Sequence, residues 1–166
     1  MKRMIVKGVV DEDFINYRKP SMFIACKSCT FKCDKLNGRQ VCQNGALANS
    51  PEIEIDIDDL VEKYLDNDIS TSVVFGGLEP FDDIASVIYF IELLRHSYNN
   101  NDDVVIYTGY TEEEIVSGEF KDYYEKMKSF GNIIIKYGRF IADSPSVYDD
   151  ILGVKLSSNN QYAKRI

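Results

Sequence analysis

The sequence lacks any apolar run approaching the ~20 residues that a membrane-spanning helix needs, which argues against a helical membrane protein. Its first residues, MKRMIVKGVVDED, contain no secretory h-region, so the expected location is the cytoplasm, where disulfides are disfavoured. Positive charge is in deficit: 19 Lys and Arg stand against 27 Asp and Glu, a formal net charge of −8. Such a surface repels phosphate backbones, and no nucleic-acid partner is expected. Histidine is almost absent, and the one copy, His96 beside Arg95, reads as a surface residue rather than a catalytic one. Repeats, low-complexity tracts and linker-like segments are missing, and nothing marks a domain boundary. With 166 residues and an apolar fraction of 45%, the chain reads as one globular domain, 1–166, large enough for a proper core.

What is present is concentrated. All four cysteines lie between positions 26 and 42, in Cys26-Lys-Ser-Cys29-Thr-Phe-Lys-Cys33 followed by Cys42. Ser21–Ala25 just upstream reads as a short buried strand, so the cysteines occupy the loop that leaves it. Lys32, Lys35 and Arg39 flank them, and cations favour the thiolate form that binds metal. A structural zinc site needs four ligands, usually as two close pairs, which Cys26-x2-Cys29 and Cys33-x8-Cys42 can supply. An iron–sulfur cluster takes three or four thiolates, commonly close together on one loop. Spacing alone does not choose between the two metals.

Along the chain, apolar runs alternate with helical periodicity. Met4–Val6 and Val9-Val10 give an N-terminal strand, Gln43-Asn44-Gly45 a turn, and Ile53–Ile55 a short extended piece. Ile57, Leu60, Val61, Tyr64 and Leu65 place an amphipathic helix over Asp56–Asn67, its acidic start favourable to the helix dipole. Thr71–Phe75 is a buried strand, stopped by Gly76-Gly77. Phe81–Tyr98 is the strongest helix, with Ile84, Val87, Ile88, Ile91 and Leu94 on one face. Val104–Tyr107 is a strand, Thr111-x-x-Glu114 a capping box, Phe120–Phe130 a helix and Ile133–Ile135 a strand. Tyr64, Tyr89, Tyr123 and Tyr124 fall on helical faces and read as packing. Strand–helix alternation with apolar rather than alternating strands predicts an α/β protein with a parallel sheet covered by helices. A closed eight-unit barrel needs roughly 250 residues, so only an incomplete barrel or a small open sheet fits.

Ligands of parallel α/β folds sit at the carboxyl ends of the strands. Besides the cysteine loop, three segments stand there. Phe75–Phe81 carries Gly76 and Gly77, which allow close backbone approach, and Glu79, which offers negative charge. Tyr107-Thr108-Gly109-Tyr110-Thr111 also reads simply as a capped helix start. Gly138-Arg139-Phe140 adds a cation that also reads as a solvated surface residue.

Together these residues resemble the activating enzymes of anaerobic (class III) ribonucleotide reductase, within the radical S-adenosylmethionine superfamily. Phe23-Ile24-Ala25 with Cys29-x3-Cys33, Gly76-Gly77-Leu78-Glu79-Pro80, Tyr107-Thr108-Gly109-Tyr110 and Gly138-Arg139-Phe140 before Ser157-Ser158-Asn159-Asn160-Gln161 match in order over nearly the whole chain. The resemblance implies a partial (β/α)6 barrel with helices outside, a [4Fe-4S] cluster held by three cysteines, and S-adenosylmethionine chelating the fourth iron. It implies an oxidoreductase that cleaves S-adenosylmethionine reductively and makes a glycyl radical on anaerobic ribonucleotide reductase or another glycyl radical protein. Reduced flavodoxin or ferredoxin would supply the electron. By the same resemblance Gly76, Gly77, Glu79, Thr108 and Arg139 hold S-adenosylmethionine.

The superfamily pattern Cys-x3-Cys-x2-Cys would put its third cysteine at position 36, which is Leu36. Cys42 is then the expected third ligand beside Cys29 and Cys33, because an eight-residue excursion turning at Gly38 can fold back. Cys26 is the alternative. Were all four cysteines ligands, no iron would stay open, and an electron carrier or structural zinc or iron–sulfur module would result. A divergent radical S-adenosylmethionine enzyme with another substrate is a further reading.

Overall fold

The structure, a computed structural model, describes residues 2–166. Its elements in chain order are β1 (Arg3–Asp13), β2 (Ser21–Cys26), α1 (Lys32–Asn37), α2 (Gly45–Ala48), β3 (Ile53–Asp56), α3 (Ile57–Leu65) and β4 (Ser72–Gly76). A 3-10 turn (Pro80–Asp83), α4 (Ile84–Glu92), a π-helical turn (Leu93–Ser97), β5 (Asp103–Tyr107), α5 (Glu112–Ser117), α6 (Lys121–Phe130) and β6 (Ile133–Tyr137) follow. The chain closes with β7 (Val147–Asp149), β8 (Val154–Leu156) and β9 (Tyr162–Arg165).

Seven strands form one open mixed sheet in the order β3-β1-β2-β4-β5-β6-β9. The central strands β2, β4, β5 and β6 run parallel. Antiparallel partners flank them, β1 and β3 on one side and β9 on the other. The apolar runs did not announce this, because strand direction at an edge is set by the connection and not by local pattern. β7 and β8 make a separate hairpin.

The parallel strands β2, β4, β5 and β6 are buried on both faces, as strands under a double cover must be. Val73, Phe75, Val104, Ile106, Ile133, Ile135 and Tyr137 point to the main core under the helices. Val74, Val105 and Ile134 point the other way, into a smaller core closed by Tyr17, Leu152 and Leu156. The two-residue period assigns Lys136 to this second face, beside Tyr107.

The helices follow from sequence with local corrections. Asp56 caps α3, its carboxylate accepting the Asp58 N–H at 3.0 Å. The capping box of α5 is complete, with Thr111 and Glu114 each accepting the other's backbone N–H. The single helix expected over Phe81–Tyr98 is instead three pieces. Pro80 starts a 3-10 turn capped by Glu79, and the non-helical backbone of Asp83 separates that turn from α4. At the far end the chain becomes a π turn, where Arg95 reaches forward to the carbonyls of Asn100, Asp102 and Gly131. His96 is exposed, as expected, with its ring edge against Phe130 at 5.8 Å. Tyr64 is buried and donates to Asp102, whereas Tyr123, expected to pack, is exposed.

Among the described residues no helix is long and apolar enough to cross a membrane.

Candidate cluster site at the carboxyl rim

The parallel strands are paired so that Ala25 faces Gly76, Phe75 faces Ile106, and Tyr107 faces Lys136. Their carboxyl ends therefore deliver the cysteine loop, the Gly77–Glu79 loop, the Thr108–Thr111 loop and the Gly138–Arg139 loop to one rim. Of the site residues expected from sequence, Gly76 ends β4, Cys33 lies in α1 and the alternative ligand Cys26 ends β2; the others lie on these loops or on the excursion that follows α1.

Hydrogen bonds sew the loops into a ring. The Glu79 N–H donates to Ser28 O at 2.7 Å, joining the second loop to the first. One Glu79 carboxylate oxygen accepts from the Thr108 hydroxyl (2.7 Å) and the Phe81 N–H (3.1 Å), and the other from the Gly109 N–H (2.9 Å). The Gly138 N–H donates to Tyr110 O at 2.9 Å, and the Asn37 amide donates to both Cys33 O and Phe140 O, which closes the circle. The Ser157–Gln161 segment props the last loop from behind: Asn160 donates to Arg139 O and Gln161 to Gly138 O. Tyr110 is buried in edge-on contact with Phe81 and Phe120, and the Lys32 ammonium sits 4.0 Å from its ring centroid.

The cysteines divide into two environments. Cys26, at the end of β2, is 3% exposed and part of the main core. Burial pushes its thiol far up, and nearby Glu79 and Asp83 add to this. Cys29, Cys33 and Cys42 are half-buried. Burial raises Cys29 to about 11 against an opposing hydrogen bond from the Phe31 N–H, and it raises Cys42 against one from Asn44. Burial, and not the flanking cations, dominates these two thiols. Both receive an N–H···S contact from the residue two positions on, at 3.3 Å from Phe31 and 3.4 Å from Asn44. Phe31 adopts the left-handed conformation at φ 52°, rare for a large side chain, in making that turn. Amide donors to sulfur are among the features that tune iron–sulfur centres.

Cys33 lies in α1. Asp34 beside it draws the excursion back to this helix, its carboxylate accepting the backbone N–H groups of Val41 (2.7 Å) and Cys42 (2.8 Å). The excursion then enters α2, and Leu47 packs on Gly77, where an added Cβ would lie 2.7 Å from the leucine Cδ2. Among the described residues, however, no three His, Cys, Asp or Glu side chains converge closely enough to hold a metal ion. All four cysteines are free thiols. Leu36, at the position where a third cysteine was expected, is exposed and borders a groove of about 260 Å³ with Tyr137, Gly138, Arg139, Ile141 and Tyr162.

Of the other expected residues, Gly77 has φ +75°, a conformation that suits glycine. Gly76 is wedged between Phe23 and Tyr107. Arg139 is no solvated surface residue: it pairs with Glu114 at 2.8 Å and lies over Tyr110. Burial raises Glu79 above the usual carboxylate range while its three donors pull the other way. At 7% exposure it has no cationic side chain within ion-pair distance among the described residues.

Sequence reasoning missed three residues. Asp34 and Asn37 act through side-chain bonds to backbone, which leave no periodic trace. Lys136 did leave one, as the single charge in the buried run Ile133–Tyr137.

A family model described as "4Fe-4S single cluster domain" matches residues 19–162. No curated protein and no solved structure shows a significant match.

Proposed function

Because the chain belongs to the 4Fe-4S single cluster domain family, we propose that it is a radical S-adenosylmethionine enzyme that makes a glycyl radical on anaerobic ribonucleotide reductase or another glycyl radical protein. Membership in the family makes it an iron–sulfur protein and sets aside the zinc reading. The further step to radical chemistry is supported above all by Glu79. A buried carboxylate without a cationic partner is costly, and this one stands on the loop bonded directly to the cysteine segment. An α-ammonium group such as that of S-adenosylmethionine offsets that cost.

In this reading Cys29, Cys33 and Cys42 would hold the cluster and leave a position for the ligand; the sulfurs of Cys29 and Cys42 have backbone N–H donors, and Asp34 ties the Cys42 backbone to α1, which support the choice. On loading, the loop has to draw the three sulfurs together. Bound there, the cluster would supply one-electron reducing chemistry toward S-adenosylmethionine. Glu79 takes the ligand's ammonium, Thr108 and the Gly109 amide hold Glu79 in place, and Gly76 and Gly77, packed against Phe23, Tyr107 and Leu47, set the path of the loop that carries Glu79. Arg139, neutralised by Glu114, shapes the rim more than it binds a carboxylate. The partial (β/α)6 barrel belongs to the same proposal, with the open side of the sheet admitting the partner's loop and the Leu36–Ile141 groove flanking its entry. Reduced flavodoxin or ferredoxin is the proposed electron donor, and the cytoplasm the proposed location.

The test is anaerobic reconstitution with iron and sulfide, then reduction with dithionite in the presence of S-adenosylmethionine. Methionine and 5′-deoxyadenosine should form, and added anaerobic ribonucleotide reductase should show a glycyl signal by electron paramagnetic resonance. Cleavage without a glycyl signal moves the substrate to another protein or molecule. An intact cluster without any cleavage makes the chain an electron carrier.

A further inference from the structure

Two turns at the far end of the sheet expose apolar side chains that the core does not use. Phe14 and Ile15, adjacent in the chain, are 64% and 77% exposed, and Ile69 is 49% exposed. Turn tips are ordinarily polar, and leaving three large apolar side chains in water forgoes the gain of burying them. Neither turn is loose. Asp13 accepts the backbone N–H of Asn16 at 3.1 Å and its side-chain amide at 3.0 Å, which fixes Phe14 and Ile15 at the tip between them. Asn67 holds the second turn, accepting the N–H groups of Ile69 and Ser70, each at 2.8 Å. The turns are also tied to each other: Asn67 donates to the Glu12 carboxylate at 3.0 Å, and the Ser70 hydroxyl to Asp11 O.

The surroundings are acidic. Between β1 and the end of α3 lies a cleft of about 410 Å³, lined by Asp11, Asp59, Glu62, Lys63, Asp66 and Asn67. Six carboxylates here (Asp11, Glu12, Asp59, Glu62, Asp66 and Asp68) stand against the one ammonium of Lys63, which leaves −5 of the chain's net −8. Lys63 is itself paired with Asp11 at 2.8 Å. The next cations after the first turn, Arg18 and Lys19, are bonded to Asp150 O and to the Asp103 carboxylate instead. Fixed apolar tips beside charge of one sign form an interaction surface.

Asp13 pairs with Ser21 at the start of β2, and Ile69 lies just before β4. The surface is therefore at the amino ends of the parallel strands, opposite the cysteine rim, and owes nothing to a cluster there. We propose that it is a docking surface for a basic amphipathic segment of a partner protein. The segment's Lys and Arg side chains enter the acidic cleft, and its apolar side chains cover Phe14, Ile15 and Ile69. Charge selects this occupant. Nucleic-acid phosphates and anionic lipid headgroups are repelled, and a second copy of this chain would set carboxylates against carboxylates.

The probe is a fluorescein-labelled Leu/Lys amphipathic helix of about 18 residues, long enough to fold in isolation, read by fluorescence anisotropy. The same peptide with Glu in place of Lys is its counterpart. Parent protein is compared with Phe14→Ser/Ile15→Ser and with Asp59→Lys/Asp66→Lys. Glu119→Lys/Asp122→Lys, an equal change of charge at exposed positions around the start of α6, is the control. Circular dichroism checks that each variant is folded. The parent should bind the Lys peptide, more weakly as salt rises, and ignore the Glu peptide. Both test variants should bind at least about tenfold more weakly, a loss of about 1.4 kcal/mol, with the control near the parent. An equal loss in the control overturns the proposal, because the attraction is then to overall charge. Unchanged affinity in Phe14→Ser/Ile15→Ser overturns it by leaving the apolar tips without a role. Binding of the parent to phosphatidylglycerol vesicles would make the occupant a membrane. Self-association in sedimentation velocity that Phe14→Ser/Ile15→Ser abolishes would make it a second copy, and either result overturns the assignment.

Discussion

At the scale of residues, the site is decided by which sulfurs can reach a common cluster. Cys26 is part of the core, while Cys29, Cys33 and Cys42 are half-buried at the rim, with Asp34 tying the Cys42 backbone to α1. Alanine at 29, 33 or 42 should therefore empty the site, measured as iron and sulfide content and visible absorbance. Cys26→Ala should keep the cluster and lose only a small core contact, about 1 kcal/mol. The reverse pattern, iron lost with Cys26→Ala and kept with Cys42→Ala, would reassign the third ligand. Glu79→Gln should weaken S-adenosylmethionine binding by about 1.5–3 kcal/mol, the range for a hydrogen bond involving a charged group. Equal affinities by equilibrium dialysis would remove Glu79 from the ligand site. Residues whose chemistry is their identity, such as cysteines or a glycine–glutamate loop, were legible in the sequence. Asp34 was not, because a carboxylate that clips backbone amides seven and eight residues away looks like any helical aspartate.

At the scale of elements, two connections carry the architecture of the rim. The first is the contact between Gly77 and α2. Replacing Gly77 by Ala forces an L side chain into a left-handed conformation at about 1–2 kcal/mol and drives its Cβ into Leu47. The variant should be less stable by that amount and should lose iron faster under chelator challenge, because α2 anchors the excursion that bears Cys42. Gly8→Ala, whose Cβ meets nothing within 4 Å, is the control. If the two variants release iron at the same rate, α2 does not hold the excursion.

The second connection is Asp103 at the start of β5, which accepts from Tyr17, Lys19 and Arg165 and so joins the β1–β2 connection and β9 to the sheet. Burial pushes its carboxyl up, but the hydrogen bonds from Arg165, Lys19 and Tyr17 prevail and hold it well below the usual carboxylate range. A depressed folded pKa stabilises the protein above the unfolded value near 3.9. That stability is lost as pH falls from there towards the folded value. Asp103→Asn should cost about 1.5–3 kcal/mol at neutral pH and flatten the acid limb of the stability curve in urea titrations. An acid limb as steep as the parent's would place the titrating group elsewhere. Most strands and helices were legible from apolar periodicity. The three-part helix after Glu79 was not, because its breaks come with a side-chain cap and with carbonyls of Asn100, Asp102 and Gly131 that Arg95 meets beyond the helix.

At the scale of the whole molecule, four parallel strands gather four loops at one rim, and the open sheet leaves that rim approachable. The parallel core could be inferred from runs such as Thr71–Phe75, because burial on both faces leaves its mark in composition. The antiparallel flanks, β1 with β3 and β9, could not, since pairing direction emerges only when the chain closes on itself. The central claim is a cluster held by three cysteines with one iron left for S-adenosylmethionine. It is tested most directly by the electron paramagnetic resonance spectrum of the reduced, reconstituted protein, recorded with and without S-adenosylmethionine. The account predicts a [4Fe-4S]+ signal that changes shape when the ligand is added, in the parent and in Cys26→Ala alike. A signal identical in the presence and absence of saturating S-adenosylmethionine would contradict it.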